Sequence, residues 1–380
     1  MIRTMASAAT AAAVLLPLGV LAGGLPAQAA STQVARSTST LNPCPTGAPL
    51  PGGGGGSFPY STTVAPSDTS TSIVLNVDND PQIQCGRAAL AEQDDVVYST
   101  PKLSDGTLLP LKLDIQKPLT PGPKPVVIFV PGGGFVSSDK TQELDLRTYV
   151  AEAGFVVASI EYRTVPNGAT YVNGVEDVKA AVRYLRANAV RYGINPSKVG
   201  LWGESAGGYL VAMAGTTNGM RRFDVGENLQ QSSSVQAVVD KFGGSDLSKF
   251  AADFDAASQA MYAGPDNFLA QYVNGPGSGK SLSDDPAAVA RANPLTYVDR
   301  RDPAFQLFHG TDDRIASPSQ SLILHNKLLA AGVTSTRYVI DGAGHGPLAV
   351  LNGNFTGVDD WSTTTVMDKS VRFLAKQLKN

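Results

Sequence analysis

The pentapeptide G-E-S-A-G at residues 203–207 limits the folds open to this chain more than any other segment. Residues 198–202 before it are mostly apolar and predict a buried strand, whereas residues 209–214 after it predict a helix. A strand that passes so quickly into a helix needs a sharp turn, and glycine at both ends lets the backbones pack closely. We therefore expect Ser205 at the tip of a strand–turn–helix unit. The pattern is short enough to arise by chance, so its meaning depends on the rest of the sequence.

Apolar and amphipathic runs alternate along the chain in the order typical of a mostly parallel sheet. Two half-exposed strands are predicted first, at residues 96–98 and 109–115. Six further strands are predicted at residues 125–130, 155–160, 198–202, 235–239, 304–308 and 337–340, and the first of them is continuously apolar, as is typical of a strand covered on both faces. Further helical patterns lie between or after them, at residues 142–153, 175–192, 319–330 and 359–376. The sequence thus predicts an α/β fold, with a mostly parallel eight-stranded sheet and helices on both faces.

Residues 245–293 interrupt this alternation with aromatic side chains set among Gly, Pro and Asp. We interpret them as a small cap-like excursion over the carboxyl ends of the strands, where ligands bind in open α/β sheets. The aromatic residues either cover the site in part or form the excursion's own small core.

The N-terminal sixty residues differ in composition from the rest of the chain. Residues 1–29 have the pattern of a secretory signal peptide, and residues 30–60 form a Ser/Thr/Pro/Gly-rich segment predicted to be flexible. Residues 61–380 are predicted to be one catalytic domain. No later stretch approaches about 20 apolar residues, so we expect an extracellular protein without a membrane anchor. Cys44 and Cys85 either form a disulfide that ties the extension to the domain or remain unpaired thiols.

Charge and motif content exclude several classes of partner. The formal net charge is −3, and no Lys/Arg cluster exceeds Arg221-Arg222, which argues against nucleic acid. Three histidines without a C-x-x-C pair make a zinc site improbable. Residues 275–281 resemble a phosphate-binding loop, but Asn274 occupies the position of its first glycine. We therefore predict neither a metal nor a cofactor.

Ser205 needs a base, because a serine hydroxyl is a poor nucleophile near neutral pH. The candidates are His309, His325 and His345. We favour His345, which lies in a glycine-rich loop after the last predicted strand. His309 ends a strand and His325 lies within a helix, where we expect structural roles.

A carboxylate should hold the second ring nitrogen of that base and stabilise the imidazolium. Asp312 and Asp313 both follow the strand at residues 304–308, and Asp246 follows the strand before it. We favour Asp313, with Asp312 and Asp246 as alternatives.

Acyl transfer also needs hydrogen-bond donors for the charge that develops on the carbonyl oxygen. Gly132, Gly133 and Gly134 directly follow a buried strand, so their backbone N–H groups can point at one spot. The N–H of Ala206, beside Ser205, is the complementary donor.

Together these motifs resemble the hormone-sensitive-lipase-like and bacterial feruloyl-esterase-like (BD-FAE) branches of the α/β-hydrolase superfamily. The resemblance begins near residue 98 and rests on P-G-G-G-F at 131–135, residues 177–186, G-E-S-A-G-G at 203–208, H-G-T-D-D-R at 309–314 and G-A-G-H-G at 342–346. It implies a catalytic triad and an oxyanion hole, formed by Ser205, Asp313 and His345 and by Gly133, Gly134 and Ala206. The family's H-G-x-x-D pattern supports Asp313 over Asp312.

Two positions depart from the family's pattern. Pro131 replaces a histidine expected to brace the oxyanion loop. Because backbone N–H groups stabilise the oxyanion, we expect activity to survive this change. Ala316-Ser317 stands where Val-Pro is frequent, which we interpret as a surface variation.

The sequence therefore predicts a secreted serine carboxylesterase that forms an acyl-enzyme on Ser205. By fold analogy its substrate is a small-molecule, polysaccharide or polymer ester with a short acyl, acetyl or feruloyl group. The alternatives are a serine peptidase or amidase of the same fold, or a non-catalytic binding protein on a hydrolase scaffold. No propeller-like repeat precedes the domain, which disfavours the peptidase.

Overall fold

The computed structural model describes residues 41–47, 59–346 and 359–380. Its strands are β1 (Asn42–Pro43), β2 (Ile73–Leu75), β3 (Gln84–Cys85), β4 (Leu90–Ser99), β5 (Leu111–Pro118), β6 (Lys124–Val130), β7 (Val156–Ile160), β8 (Ile194–Glu204), β9 (Ala237–Lys241), β10 (Ala304–Gly310) and β11 (Ser335–Ile340). Its α-helices are α1 (Leu144–Glu152), α2 (Tyr171–Ala187), α3 (Ala189–Tyr192), α4 (Ala206–Thr216), α5 (Ala256–Ala263), α6 (Phe268–Asn274), α7 (Pro286–Ala292), α8 (Ser319–Ala330) and α9 (Thr364–Leu378). Short 3₁₀ helices lie at Val165–Asn167, Arg221–Phe223, Leu247–Lys249, Leu282–Asp284, Pro294–Thr296 and Asp360–Ser362.

Nine of the described strands form one sheet, in the order β2-β11-β10-β9-β8-β6-β7-β5-β4. The pairs from β2 to β7 are parallel, whereas β5 pairs antiparallel with both β7 and β4. The predicted antiparallel start and parallel remainder are thus present. The sheet has one strand more than the eight predicted, because β2 pairs with β11 at its edge. β2 has only three residues, and half-exposed Ile73 and Val74 give it no buried pattern.

Helices cover both faces of the sheet, as predicted. Alternate residues of β6 face opposite sides, so Val126 and Ile128 belong to one core together with residues of α2, α4 and α8, and Val127 and Phe129 belong to the other core together with residues of α1 and α9. All four side chains are completely buried. This burial on both faces explains the continuously apolar sequence of the strand.

Two predicted helices have different boundaries in the structure. The helix expected at residues 175–192 begins earlier, at Tyr171, because Thr170 and Asn173 form a capping box at its start. It is also interrupted at Asn188, which separates α2 from α3. The last helix begins at Thr364, five residues late, since Thr363 has extended backbone.

The excursion at residues 245–293 consists of α5, α6, α7 and short 3₁₀ helices. Its aromatic rings contact one another, with Phe250 and Phe268 each edge-on or tilted against neighbours at centroid distances of 5.3 to 6.3 Å. Tyr272 of α6 stacks on Phe135, which follows the glycine loop after β6, at 4.1 Å. The aromatic residues therefore form the excursion's own core and fasten it to that loop.

Near the N-terminus, β1 pairs with β3, and a disulfide joins Cys44 to Cys85. The predicted signal peptide, residues 1–29, lies outside the described residues, as does most of the predicted flexible segment. In the ranges that the structure describes, no helix is both long and apolar enough to cross a membrane.

Candidate active site

The turn at Ser205 joins β8, which ends at Glu204, directly to α4, which begins at Ala206. Ser205 has φ 54° and ψ −118°, a conformation that costs a non-glycine residue free energy. Gly203 and Gly207 make the turn sterically feasible. A Cβ on Gly207 would lie 1.9 Å from the carbonyl oxygen of Val130, and one on Gly203 would lie 2.3 Å from that of Gly207.

His345 and Asp313 approach Ser205 from loops that follow neighbouring strands. The Nε2 atom of His345 lies 2.8 Å from the Oγ atom of Ser205, and its Nδ1 atom lies 2.7 Å from Oδ2 of Asp313. Asp313 follows β10 and His345 follows β11, and these adjacent parallel strands end at the same edge of the sheet. The structure therefore brings three predicted residues into one continuous chain of hydrogen bonds.

The Asp313 carboxylate is buried and held by donors on both oxygens. Oδ1 accepts hydrogen bonds from the backbone N–H groups of Ile315 and Ala316, at 3.0 and 2.9 Å. Burial alone would raise the pKa of Asp313, but His345 and His309 beside it outweigh burial and hold that pKa well below its usual value. The lowered pKa favours the ionised carboxylate near neutral pH.

The alternative acids lie elsewhere. Asp312 pairs with Arg314 at 2.9 Å, and Asp246 caps a 3₁₀ helix through Ser248. No hydrogen bond joins either carboxylate to His345 among the contacts of the described residues. Asp313 is the candidate acid that contacts the base.

The interpretation of Ala316-Ser317 as a surface variation is wrong. Both residues are buried, at 1% and 0% exposure. Ala316 donates to Asp313, and the Ser317 hydroxyl accepts from the N–H of Asp253 at 2.9 Å. This segment therefore helps to build the acid's surroundings.

The glycine loop after β6 lies against the turn at Ser205. A Cβ on Gly132 would lie 3.4 Å from Cβ of Ser205, and Gly133 has φ 132°, which favours glycine. The N–H groups of Val136 and Ser137 both donate to the carbonyl oxygen of Gly133. Gly132 thus lies against the nucleophile candidate, Gly133 and Gly134 follow it in the same loop, and the N–H of Ala206 belongs to the first turn of α4.

Tyr162 braces this loop, a contact that sequence reasoning missed. Its hydroxyl donates to the carbonyl oxygen of Pro131 at 3.0 Å, and its N–H donates to Ser138 Oγ at 2.7 Å. Burial raises the pKa of Tyr162, so the hydroxyl keeps its proton. The loop thus receives a side-chain support from the segment that follows β7, although Pro131 lacks a polar side chain.

Two further aromatic residues, Phe242 and Trp361, hold the His345 loop. Trp361 donates its Nε1–H to the carbonyl oxygen of Gly344 at 3.2 Å. The ring of Phe242 lies 4.6 Å from the rings of both His345 and Trp361. No spacing rule connects these residues in the sequence.

Glu204, next to Ser205, faces a buried cation. Its Oε1 atom lies 3.0 Å from Nζ of Lys241, which is fully buried beside the ring of Trp202. Burial raises the pKa of Glu204 although Lys241 opposes this shift. We assign this pair to the support of the strand ends rather than to proton transfer with Ser205.

The other two histidines are buried. His325 contacts Ser335 Oγ and the carbonyl oxygen of Thr71, at 2.8 and 2.9 Å. His309 contacts Asp313 itself, with Nε2 lying 3.1 Å from Oδ2. Within the described part of the chain, no group of three or more His, Cys, Asp or Glu residues could hold a metal ion.

Comparisons with curated proteins identify esterases among the relatives. Esterase LipC of Mycobacterium tuberculosis (strain ATCC 25618 / H37Rv) is 30% identical over 244 residues, which cover 64% of this chain and 57% of LipC. The probable isoprenylcysteine alpha-carbonyl methylesterase ICMEL1 of Arabidopsis thaliana is 28% identical over 251 residues, covering 66% of this chain and 51% of the relative. The chain thus spans about half the length of these two relatives.

Solved structures and a family model extend the comparison. A truncated carbohydrate esterase from gut microbiota matches with a TM-score of 0.62 and 28% identity, covering 77% of this chain and 98% of that one. The butyrate-bound esterase Est2 of Thermogutta terrifontis, at 22% identity and a TM-score of 0.56, shares the fold over 76% of this chain and 94% of its own. The BD-FAE family model matches residues 113–328. This chain therefore belongs to the BD-FAE family and has the α/β-hydrolase fold.

Proposed function

We propose that this protein is a secreted serine carboxylesterase that hydrolyses carboxylic esters through an acyl-enzyme on Ser205. The observation that carries the proposal is the hydrogen-bonded chain from Ser205 Oγ through His345 to Asp313. The position of Ser205 on a strained turn beside a glycine loop adds to it. Relatives and structural neighbours named as esterases support an ester as the bond that is cleaved.

In the first half-reaction, Ser205 Oγ attacks the carbonyl carbon of the ester while Nε2 of His345 takes the hydroxyl proton. Asp313 accepts the Nδ1–H bond and stabilises the imidazolium. The N–H groups of Gly133, Gly134 and Ala206 stabilise the oxyanion, each by about 2.7–4 kcal/mol in typical cases. His345 then returns its proton to the leaving alkoxide, which departs as the alcohol.

In the second half-reaction, water attacks the acyl-enzyme while His345 removes a proton from it. The second oxyanion intermediate collapses, Ser205 regains its proton from His345, and the carboxylic acid leaves. The same donors serve both halves, because the two intermediates have the same geometry at the reacting carbon.

The decisive experiment is the Ser205→Ala variant, assayed with p-nitrophenyl acetate. We expect kcat to fall by about 10⁴–10⁶-fold, and a fluorophosphonate probe should label the wild-type protein but not the variant. Ser159→Ala, which removes a buried hydroxyl from β7 of the same sheet, is the matched control and should retain activity. Undiminished turnover in Ser205→Ala would overturn the proposal.

Matched substrates test which type of bond the protein cleaves and which acyl group it prefers. A p-nitrophenyl ester should be hydrolysed far faster than the p-nitroanilide with the same acyl group. Comparing acetyl, butyryl and feruloyl esters by kcat/KM then defines the acyl preference. Faster cleavage of the anilide would instead indicate an amidase.

Secretion is tested separately. The N-terminal sequence and the disulfide between Cys44 and Cys85 support an oxidising destination. Fusing residues 1–29 to a reporter that folds only after export should give external activity, and the exported native chain should begin near residue 30. A reporter that stays inside the cell would contradict this part of the proposal.

A further inference from the structure

We propose that His309 is a positioning residue, which holds the Asp313 carboxylate in line with His345 as a second imidazole on the same oxygen. This inference rests on the proposed function, because it concerns the acid of that reaction. Sequence reasoning assigned His309 a structural role at the end of a strand. The contacts around it indicate a more specific one.

Two imidazoles share Oδ2 of Asp313. Nδ1 of His345 lies 2.7 Å from this oxygen, and Nε2 of His309 lies 3.1 Å from it. His309 and Asp313 are both completely buried, so no bulk water competes for these bonds. With the two backbone donors on Oδ1, the carboxylate has four N–H groups around it.

The surroundings of His309 determine where its proton lies. Nε2 faces Asp313 Oδ2 and the carbonyl oxygen of Ala316, the latter at 3.0 Å, and both are acceptors. Nε2 must therefore carry a hydrogen and donate it. His309 thus donates from Nε2 to the carbonyl oxygen of Ala316, with Oδ2 of Asp313 within reach of the same N–H.

Ser321 and Arg337 continue the hydrogen-bond network at the other nitrogen of His309. Arg337 donates its Nε–H to Ser321 Oγ at 2.8 Å, and Ser321 Oγ lies 3.1 Å from Nδ1 of His309. Because Arg337 occupies a lone pair of the hydroxyl oxygen, the Ser321 proton has two acceptors in reach, Nδ1 of His309 and the carbonyl oxygen of Pro318 at 3.3 Å. The Nε2–H of His309 is therefore shared between the carbonyl oxygen of Ala316 and Oδ2 of Asp313.

This arrangement has two consequences for the proposed reaction. The extra donor restricts rotation of the carboxylate, so that Oδ2 stays aligned with the Nδ1–H of His345. It also disperses part of the negative charge that stabilises the His345 imidazolium, which makes His345 easier to return to its neutral, basic form. Among the described residues, the charged and titratable groups near the pair are His345, Arg337, Tyr60 and Tyr262; Tyr60 is in turn near Asp312 and Arg314, and Arg337 is near Asp68 and Asp253.

The test is His309→Phe, which keeps a ring but removes the donor. We expect kcat to fall by about 10–100-fold with little change in KM, as for other partners that orient a reacting group. The acid limb of the kcat/KM profile should move to higher pH by about 0.4–1 unit, the equivalent of one hydrogen bond. His309→Gln, whose side-chain amide can donate in place of Nε2–H, should recover most of kcat.

His325→Phe is a matched control. His325 is also buried, with a serine hydroxyl on Nδ1 and a carbonyl oxygen on Nε2, but it does not contact Asp313. Replacing His325 by Phe should lower the thermal stability about as much as His309→Phe does, and should leave kcat and the pH profile unchanged. If His325→Phe lowers kcat as much as His309→Phe does, or if His309→Phe keeps the wild-type kcat and profile, the positioning role is refuted.

Two further measurements keep the proposal testable if His309→Phe does not fold or if the protein does not cleave esters. If His309→Phe does not fold, Ser321→Ala should show the same shift of the acid limb on a smaller scale, and its absence would refute the proposal. The low-field Nδ1 proton of His345, observed by NMR, should move when His309 is replaced, whatever substrate the protein cleaves. That readout separates failure of this inference from failure of the esterase assignment, which Ser205→Ala tests.

Discussion

The turn around Ser205 and the surroundings of Asp313 meet at His345, yet different parts of the chain hold them in place. At the turn, backbone packs on backbone, since Gly207 lies against Val130 and Gly203 lies against Gly207. Around Asp313, side chains from β10, α8 and β11 contribute a buried network. Backbone packing tolerates almost no added atom, whereas a side-chain network can lose one member and still fold. We therefore expect substitutions at the turn to prevent folding, and substitutions around Asp313 to leave a folded protein with reduced activity.

The largest effect is expected at Gly207. In Gly207→Ala the new Cβ would meet backbone atoms 1.9 Å away, which cannot move without separating β6 from α4. We expect a loss of more than about 5 kcal/mol in the free energy of unfolding, enough to prevent folding. Urea titration followed by circular dichroism measures this loss.

Gly215→Ala on the same helix is the control for Gly207→Ala. Its Cβ would meet only side-chain atoms, of Phe305 and Val238 at 2.8 Å, so we expect a cost of about 1–3 kcal/mol. Equal losses for the two variants would remove the distinction between backbone and side-chain packing.

The next largest effect is expected at the acid. Asp313→Asn should fold but lower kcat by about 10⁴-fold, because an amide does not stabilise the imidazolium and favours the wrong tautomer of His345. Asp312→Asn changes the adjacent carboxylate, which pairs only with Arg314 near the surface, and should keep kcat within about twofold. Steady-state kinetics of both variants tests which carboxylate is the catalytic acid. Similar losses of kcat would mean that Asp313 is misassigned.

A pH effect on stability is expected from Asp240, beside the turn. Burial raises its pKa to about 7, and Oδ1 accepts the N–H of Gly243. The folded state therefore binds this proton more tightly than the unfolded state, whose carboxyl has a pKa near 3.9. The resulting stability is complete below about pH 4 and is lost as the pH rises through 7.

Asp240→Asn should remove this dependence. The difference in free energy of unfolding between pH 5 and pH 8 should shrink by roughly 3 kcal/mol relative to the wild-type protein. Asp266→Asn, at an exposed position, should leave that difference intact. Denaturant titrations at both pH values would show whether the two variants differ.

The smallest effect is expected at the brace of the glycine loop. Tyr162→Phe removes one hydroxyl that bonds Pro131, so kcat should fall by about 2–10-fold, the equivalent of a single hydrogen bond. Tyr98→Phe removes a similar buried bond, 2.5 Å long, to the carbonyl oxygen of Glu161. Tyr98→Phe should lower the free energy of unfolding about as much as Tyr162→Phe does and should leave kcat unchanged. If both variants lose kcat equally, the bond to Pro131 has no particular role in the loop.

Structural features that follow from a fixed spacing of residue types could be predicted from the sequence. The part of β6 that is buried on both faces is continuously apolar, and the turn at Ser205 needs glycines at set positions, so β6, the end of β8 and the turn could be predicted. β2 could not, because three residues with two half-exposed side chains carry no pattern. The contacts of Tyr162, Trp361 and His309 depend on which strand ends and loops come together. Whether Cys44 and Cys85 pair is also decided by distance in the fold, which spacing alone does not give.

The link between Cys44 and Cys85 has a consequence for handling the protein. It closes a covalent ring of chain, because the two sulfurs join positions 41 residues apart. A protease that cuts any peptide bond between them opens the ring without releasing either piece. Such a nicked molecule would run as one band on a non-reducing gel and as two after reduction. Preparations judged intact without a reductant would therefore include cleaved molecules.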